Sequence, residues 1–172
     1  MKIVKILIAI LIHITTSTLI AQEHLTPDLL LNNLVGKWLL KGTIDNKETT
    51  HDVHIEWVLQ HQYLQITEVS REKDSLGRPE YTAIVYLTWE ERIKEYSCLW
   101  LDNTGNSGLS AAVVGHAAFN GNKIELIFNS PDGSAFHTTF AFEPKSTTWQ
   151  WTMDGESDGK LVPFARVKLS KQ

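Results

Sequence analysis

The chain is poor in cysteine and has no long uninterrupted apolar run. Cys98 is the only cysteine among 172 residues, which excludes an internal disulfide, so stability must come from the burial of apolar side chains. The apolar segment at residues 6–14 is shorter than the ~20 residues that a membrane-spanning helix needs. The chain also lacks a large excess of either charge, since 16 basic and 20 acidic residues give a net charge of −4. This mild acidity disfavours nucleic acid and anionic membrane surfaces as partners.

Features on both sides of that apolar segment are typical of a secretory signal peptide. Lys2 and Lys5 form a short basic region before it, and Ala21 offers a small residue for cleavage after it. We therefore expect residues 1–21 to be removed and residues 22–172 to form one domain that is periplasmic or secreted. No transmembrane segment is expected in that domain. An uncleaved N-terminal anchor is the alternative.

The remaining sequence predicts one short helix followed by strands. The helix is expected to begin with Thr26 as capping residue, Pro27 at the first helical position and Asp28 near the positive end, and to end at Gly36. Short runs rich in β-branched and aromatic residues follow, separated by turn residues. The ten predicted strands are residues 36–45, 51–59, 63–70, 80–89, 94–102, 109–119, 123–130, 134–143, 147–154 and 161–169.

Short connections between consecutive strands predict a meander. The Asn-Gly-Asn sequence at residues 120–122 is a strong signal for a tight hairpin, and polar turns separate the other strands. A meander of ten strands either splits into two sheets or closes on itself, and closure removes the exposed edges. We therefore predict an all-β fold: a closed antiparallel up-and-down barrel with a short N-terminal helix. Such a lumen has space for bulky side chains or for a small ligand.

Three groups of residues occur in the order found in a known superfamily. Gly36 and Trp38 open the first strand, and the later members are Tyr86, Tyr96, Trp100, Asp158, Gly159, Pro163 and Arg166. In this pattern the chain resembles the lipocalin and fatty-acid-binding superfamily of calycin-type β-barrels. It is most similar to secreted bacterial lipocalin-like proteins of unknown function. The resemblance covers the whole of residues 22–172.

The resemblance implies a structural plug at one end of the barrel. In such barrels the tryptophan of the first strand packs across one end and a basic residue of the last strand lies over it, which implies these roles for Trp38 and Arg166. Gly36 would allow the turn from helix to strand. In the fatty-acid-binding branch, basic residues of the last strands instead hold a ligand carboxylate together with an Arg-x-Tyr motif. Here Lys168 replaces the tyrosine, which disfavours a carboxylate site at Arg166.

Small haem-binding barrels that resemble nitrobindin offer a second comparison. They carry Gly-x-Trp-x-Gly-x-Gly and a late histidine that binds iron. Here residues 36, 38 and 42 match, but Leu40 replaces a glycine and no histidine follows His137. We therefore predict no haem, and we assign no other cofactor.

Alternating aromatic residues on several predicted strands indicate an apolar lumen. Trp149 and Trp151 share one face of their strand, as do Val53 and Trp57. Such stripes either fill the core or line a pocket that also contains a few polar groups. The candidate ligand-binding residues are Trp57, Tyr86, Tyr96, Trp100, Phe140, Trp151 and Arg166.

Sequence patterns for catalysis or metal binding are weak. His51 and His54 are spaced so that they point to opposite faces of a strand, which disfavours chelation. Glu90 and Glu91 fall in a charged turn, and Cys98 shares an apolar face, where a thiol has a raised pKa and is unreactive. We predict no metal site and assign no catalytic residue.

The leading hypothesis is noncatalytic binding of a small hydrophobic or amphipathic molecule in the lumen. One alternative is an enzyme on the same barrel that uses a lumen histidine or tyrosine as general acid or base. The other is a filled barrel with a structural or interaction role.

Overall fold

The fold is built from one α-helix and ten strands within residues 25–105 and 108–172, which are those that the computed structural model describes. The predicted signal peptide at residues 1–21 lies outside the described residues. A single turn of 3₁₀ helix, Ala111–Val113, precedes the sixth strand. The elements are α1 (Pro27–Leu34), β1 (Gly36–Ile44), β2 (Lys47–Val58), β3 (Tyr63–Ser70), β4 (Thr82–Glu90), β5 (Glu95–Asp102), β6 (Val114–Asn120), β7 (Lys123–Asn129), β8 (Ala135–Glu143), β9 (Thr148–Ser157) and β10 (Lys160–Lys171).

The ten strands form one closed barrel in meander order. Each strand pairs antiparallel with its neighbours in sequence, and β1 pairs with β10 to close the sheet. The predicted all-β, up-and-down barrel is confirmed. In the described part of the chain, no helix has the length and apolar character needed to cross a membrane.

Strand boundaries differ from the predicted ones mainly at two places. The strand predicted at residues 109–119 begins only at Val114, because the 3₁₀ turn occupies the positions before it. β2 begins at Lys47 rather than at residue 51. Its hairpin turn is formed by Asp45 and Asn46, with φ of 46° and 60°, the left-handed conformation that suits a two-residue hairpin.

The helix begins where its sequence predicts and covers one end of the barrel. The backbone N–H of Leu29 donates to Thr26 Oγ1 at 3.3 Å, which caps the first turn. The apolar face of the helix, Leu30, Leu31 and Leu34, is fully buried.

Indole N–H groups from the barrel hold α1 in place. Trp57 Nε1 donates to Asn32 Oδ1 at 2.7 Å, and Trp149 Nε1 donates to a carbonyl in the last turn of α1 at 3.3 Å. Trp38 Nε1 donates to the Leu34 carbonyl at 2.6 Å. The bonds from Trp149 and Trp38 satisfy backbone carbonyl groups that a helix leaves free at its C-terminus, and all three bonds tie the helix to this end of the barrel.

The residue of the predicted plug is Trp38, but the cation over it is Lys171 rather than Arg166. Lys171 Nζ lies 4.9 Å from the centroid of the Trp38 ring and donates to the Val35 carbonyl at 3.3 Å. Gly36 has a φ of +138°, and a Cβ there would lie 3.4 Å from Lys171 Nζ. Glycine therefore provides both the turn from helix to strand and room for the ammonium group.

The register of the seam between β1 and β10 explains this correction. Trp38 pairs with Lys171, whereas Arg166 pairs with Thr43 near the other end of β1. Arg166 is exposed on the outer face of β10, where its guanidinium donates to Asp154 Oδ1 at 2.5 Å. The sequence predicts which strands pair. Its hydrophobic pattern does not determine by how many residues one strand is shifted along the other.

Gly42 is required where β1 and β10 come together. Its φ is +148°, and a Cβ at this position would lie 2.2 Å from the Arg166 carbonyl oxygen and 2.8 Å from Val167 Cα. Both contacts are to backbone, which cannot move aside without opening the seam. β1 therefore requires glycine both at position 36 and at position 42.

Candidate functional site

The lumen is filled near α1 and open at the other end. Bulky side chains that are at most 1% exposed fill the helix end: Trp38, Tyr96, Phe140, Trp149 and Trp151. The opposite end contains a cavity of about 470 Å³, which lies in the size range of small-molecule sites. A second cavity of about 350 Å³ adjoins it and shares Trp100 and Phe136.

One side of the larger cavity is apolar. Phe136 on β8 and Phe164 on β10 pack edge to face, with ring centroids 5.6 Å apart. Aromatic pairs in this geometry are favourable beyond the area that they bury. The apolar side chains of the wall are Ile44, Trp100, Phe136, Met153 and Phe164.

The other side, the polar wall, carries Glu72, Asp102 and a buried pair of ionisable residues, His51 on β2 and Glu68 on β3. They are 3% and 1% exposed, respectively, and His51 Nδ1 forms a short hydrogen bond with Glu68 Oε1. Both side chains point inward from adjacent strands, since Glu68 pairs with the inward-facing Val53. A carboxyl group is rarely buried this fully without a partner, and His51 is that partner.

The hydrogen bonds around His51 and Glu68 determine the net charge of this pair. Thr49 Oγ1 lies 2.7 Å from His51 Nε2 and donates to Glu72 Oε2 at 3.0 Å. Because the hydroxyl has one proton, His51 Nε2 must be the donor to Thr49. His51 Nδ1 and Glu68 then share one further proton. The pair is therefore neutral overall, whether that proton lies on the imidazole or on the carboxyl group.

Burial and hydrogen bonding move the pKa values of the two glutamates in opposite directions. Burial raises the pKa of Glu68 and outweighs the opposing hydrogen bond with His51. Partial burial also acts to raise the pKa of Glu72, but hydrogen bonds hold it below its ordinary value. One of those bonds is donated by the backbone N–H of Thr50 at 3.0 Å. Glu72 is therefore ionised at neutral pH, and Glu68 is the carboxyl group that favours a proton.

Glu68 also has an unused acceptor. Its Oε2 is buried and has no hydrogen-bond partner within the described part of the chain. An unpaired buried acceptor costs about 1–3 kcal/mol. Glu68 lines the cavity, so a donor group of a bound molecule would remove that cost, either directly or through one water.

A second hydrogen-bonded chain joins the polar wall to the apolar wall. Trp100 Nε1 donates to Tyr81 Oη at 3.2 Å, and Tyr81 donates to Asp102 Oδ2 at 3.4 Å. The Tyr81 ring stacks on His51 with centroids 5.6 Å apart. Burial, followed by the nearby carboxyl groups of Glu68 and Asp102, raises the pKa of Tyr81. Tyr81 is therefore a neutral hydroxyl that bridges the two walls.

Of the predicted ligand-binding aromatics, Trp100 lines the larger cavity. Tyr96, Phe140 and Trp151 pack in the filled half of the lumen, where they are at most 1% exposed. Trp57 lies at the helix end of β2. Sequence alternation identifies which side chains point inward, but it does not show how far along the barrel the filling extends.

Two of the predicted lumen residues, Tyr86 and Arg166, face outward instead. On β4 the buried positions are Ala83, Val85 and Leu87, so Tyr86 lies on the outer face. β4 carries large residues in both phases of its alternation, and tyrosine tolerates the outside because its hydroxyl remains hydrated. Arg166 alternates with the buried Ala165 in the same way.

The sequence contains a signal for the polar wall that the aromatic pattern alone does not reveal. Glu68 stands in the same phase of β3 as Leu64 and Ile66, which are buried. His51 is in phase with the buried Val53 on β2. A carboxyl and an imidazole that share an apolar face on neighbouring strands indicate a buried polar pair, because each group requires a partner there.

Other candidate chemistry is limited. Cys98 is 2% exposed, and burial raises its pKa, so the thiol stays protonated and unreactive. His51 is buried and His54 exposed, as their spacing predicts. In residues 25–105 and 108–172, no group of three or more His, Cys, Asp or Glu side chains is arranged to hold a metal ion.

The fold and the site define a class of protein: a closed ten-stranded antiparallel barrel with a small-molecule-sized cavity at one end. This architecture is consistent with a calycin-type barrel. No protein-family model matches the chain, and no curated protein matches it. The side chains that line the cavity are therefore the basis for inferring a function.

Proposed function

We propose that this protein binds a small amphipathic molecule in the cavity at the open end of the barrel. The observation that carries the proposal is the division of the cavity. Aromatic and aliphatic side chains form one wall, and a buried hydrogen-bonding network forms the other. A concave apolar site with a few convergent polar groups is the usual form of a small-molecule site.

The two walls contribute differently to binding. Burial of ~250 Å² of apolar ligand surface against the apolar wall would contribute about 6 kcal/mol to the free energy of binding, before the cost of association is subtracted. The polar wall selects and orients the molecule. A purely apolar guest would leave Glu68 Oε2 unpaired, so an amphipathic one is favoured.

Two further features of the chain belong to the same proposal. The barrel is a calycin-type binding protein, supported by the helix that covers one end and by Gly36 and Trp38 at the start of the first strand. It acts in the periplasm or outside the cell, supported by the signal-like pattern at residues 1–21.

A titration with a neutral polarity-sensitive dye, Nile red, tests the binding proposal. Saturable blue-shifted emission at one dye per chain is expected. Ile44 points into the cavity from the end of β1, so an Ile44→Trp substitution should fill part of the cavity and weaken binding about tenfold or more.

The matched control is Ile84→Trp, which adds the same volume on the outer face of β4, where Ile84 is 43% exposed. Dye affinity should be unchanged in this variant. Absence of saturable dye binding, or equal loss in both variants, would exclude the cavity as the binding site.

A general acid–base enzyme is a second candidate, favoured by the His51–Glu68 pair. The imidazole and the carboxyl group share one proton at the cavity wall, so the pair can give a proton to a bound molecule or take one from it. Hydrolysis of a p-nitrophenyl ester above the buffer rate should then be lost in His51→Gln and kept in His54→Gln, which changes an exposed residue of the same strand. Equal rates in all three proteins would exclude this chemistry for such esters.

A further inference from the structure

We propose that the molecule bound in the cavity is an organic cation: an ammonium group attached to an apolar, preferably aromatic, body. This inference rests on the proposed function and specifies the class of ligand. Three independent features of the cavity support it: the sign of its charges, its unpaired buried acceptor and the aromatic rings beside the acids.

The charges that line the cavity are strongly biased to one sign. Among the described residues that line it, Lys47 is the only lysine or arginine. None of the acidic lining residues forms an ion pair with a lysine or arginine within the described part of the chain; the sole ion pair among them is that of Glu68 with His51. The acidic lining residues are Asp45, Glu48, Glu68, Glu72, Glu80 and Asp102.

Acidic residues alone do not make a site, but here one of them is buried and incompletely paired. Glu68 is 1% exposed, and its Oε2 has no partner in the described residues. The single proton shared by His51 Nδ1 and Glu68 leaves this pair neutral, so His51 does not cancel the charge of Glu72 or Asp102. A group that supplies several N–H donors and a positive charge would satisfy Oε2 and balance these carboxylates.

The aromatic rings occupy the positions that a cation with an apolar body requires. Tyr81 is hydrogen-bonded both to the indole of Trp100 and to Asp102, and all three line the cavity, so two electron-rich rings lie close to a carboxylate. Cations are attracted to the faces of Trp and Tyr rings by about 0.5–2 kcal/mol. The apolar wall beyond, at Phe136 and Met153, would receive the hydrophobic body of the ligand.

The same features disfavour an anionic ligand such as a fatty acid. A carboxylate in this cavity would meet Glu72 and Asp102 at the polar wall, and like charges repel most strongly where water is excluded. The guanidinium of Arg166 cannot receive it, because Arg166 lies on the outer face of the barrel and is paired with Asp154. The charge of the cavity therefore excludes carboxylates and accepts amines.

Competition against Nile red at neutral pH tests the inference with three ligands of matched shape: phenylbutylamine, phenylbutanol and phenylbutyrate. The ammonium ligand should displace the dye at a concentration about tenfold lower than the alcohol, and the carboxylate should be the weakest. Glu72→Gln and Asp102→Asn should each reduce the preference for amine over alcohol several-fold. Glu56→Gln, which alters an exposed carboxylate on the outer face of β2, should leave the preference unchanged.

The outcomes separate the inference from the proposed function. If the alcohol or the carboxylate competes as well as the amine, or if Glu56→Gln changes the preference as much as Glu72→Gln and Asp102→Asn, the cation inference is wrong while the cavity remains a binding site. If no ligand competes and the dye itself does not bind, the proposed function is wrong and the inference falls with it.

Discussion

Lys171, on the last strand, lies with its ammonium group 4.9 Å from the centroid of the Trp38 indole on the first strand. The contact joins the two ends of the barrel sheet at its closed end. It also lies at the opposite end of the barrel from the cavity, so stability and binding can be altered separately.

Replacement of Lys171 by Met should therefore lower stability without changing ligand binding. The cation–π contact is partly exposed, so the expected loss is about 0.5–1 kcal/mol in the free energy of unfolding, measured by denaturant titration. Lys168→Met, on the outer face of the same strand, is the control and should be neutral. Equal effects of the two substitutions, or a loss of Nile red affinity in Lys171→Met, would contradict this assignment.

The Gly42→Ala substitution should be strongly destabilising, by at least ~2 kcal/mol, because its Cβ would lie 2.2 Å from the Arg166 carbonyl oxygen. Gly77→Ala separates this close contact from backbone strain. Gly77 also has a positive φ, +76°, but a Cβ there would meet nothing within 4 Å, so a loss of about 1 kcal/mol is expected. Similar losses at both positions would show that the seam between β1 and β10 is looser than described.

The thiol of Cys98 should be unreactive in the folded protein. It is 2% exposed, and burial raises its pKa, so little thiolate is present at neutral pH. A chromogenic disulfide reagent should label it slowly in buffer and rapidly in guanidinium chloride. Rapid labelling of the native protein would indicate that the barrel opens between β4 and β5 or β5 and β6.

Acid should remove a stabilising contribution from Asp52. A side-chain hydrogen bond from Arg71, followed by one from Gln172, lowers the pKa of Asp52 from 3.8 to about 2. Because the folded state favours the ionised form, the contribution is present above the unfolded pKa and is lost as the pH falls through the folded one. The Arg71–Asp52 pair is half exposed, so the contribution is below ~1 kcal/mol.

The matching experiment compares wild type with Asp52→Asn by denaturant titration at several pH values. The difference in the free energy of unfolding should shrink as the pH is lowered from about 4 to about 2. Glu56→Gln, on the same outer face of β2, is the control. A difference that stays constant over this range would contradict the lowered pKa of Asp52.

The order of the strands, and the phase of those with one clearly apolar face, could be predicted from the sequence because they depend on local patterns. The Asn-Gly-Asn sequence at residues 120–122 forms the predicted tight hairpin, in which Asn120 pairs with Lys123, and alternation placed Trp149 and Trp151 inside. The helix cap at Thr26 also depends on neighbouring residues alone. Each of these features is determined within a few positions of the chain.

Features set by distant pairing could not be predicted in this way. Whether Lys171 or Arg166 lies over Trp38 depends on the register between the first and last strands. The cavity depends on where bulky side chains from all ten strands meet, which no single alternation encodes. The pairing of His51 with Glu68 could be predicted only in part. The phase of each strand shows that both residues point inward, but their contact depends on the register of β2 on β3.

The most direct test of the central claim, that a small molecule binds in the cavity at the open end, uses the indole N–H signals in an NMR titration with phenylbutanol. Trp100 lines the cavity, whereas Trp38 and Trp149 are buried at the helix end. We predict a saturable shift of the Trp100 signal with those of Trp38 and Trp149 unchanged. Shifts confined to the helix end, or no shift of Trp100 at saturating ligand, would contradict the account.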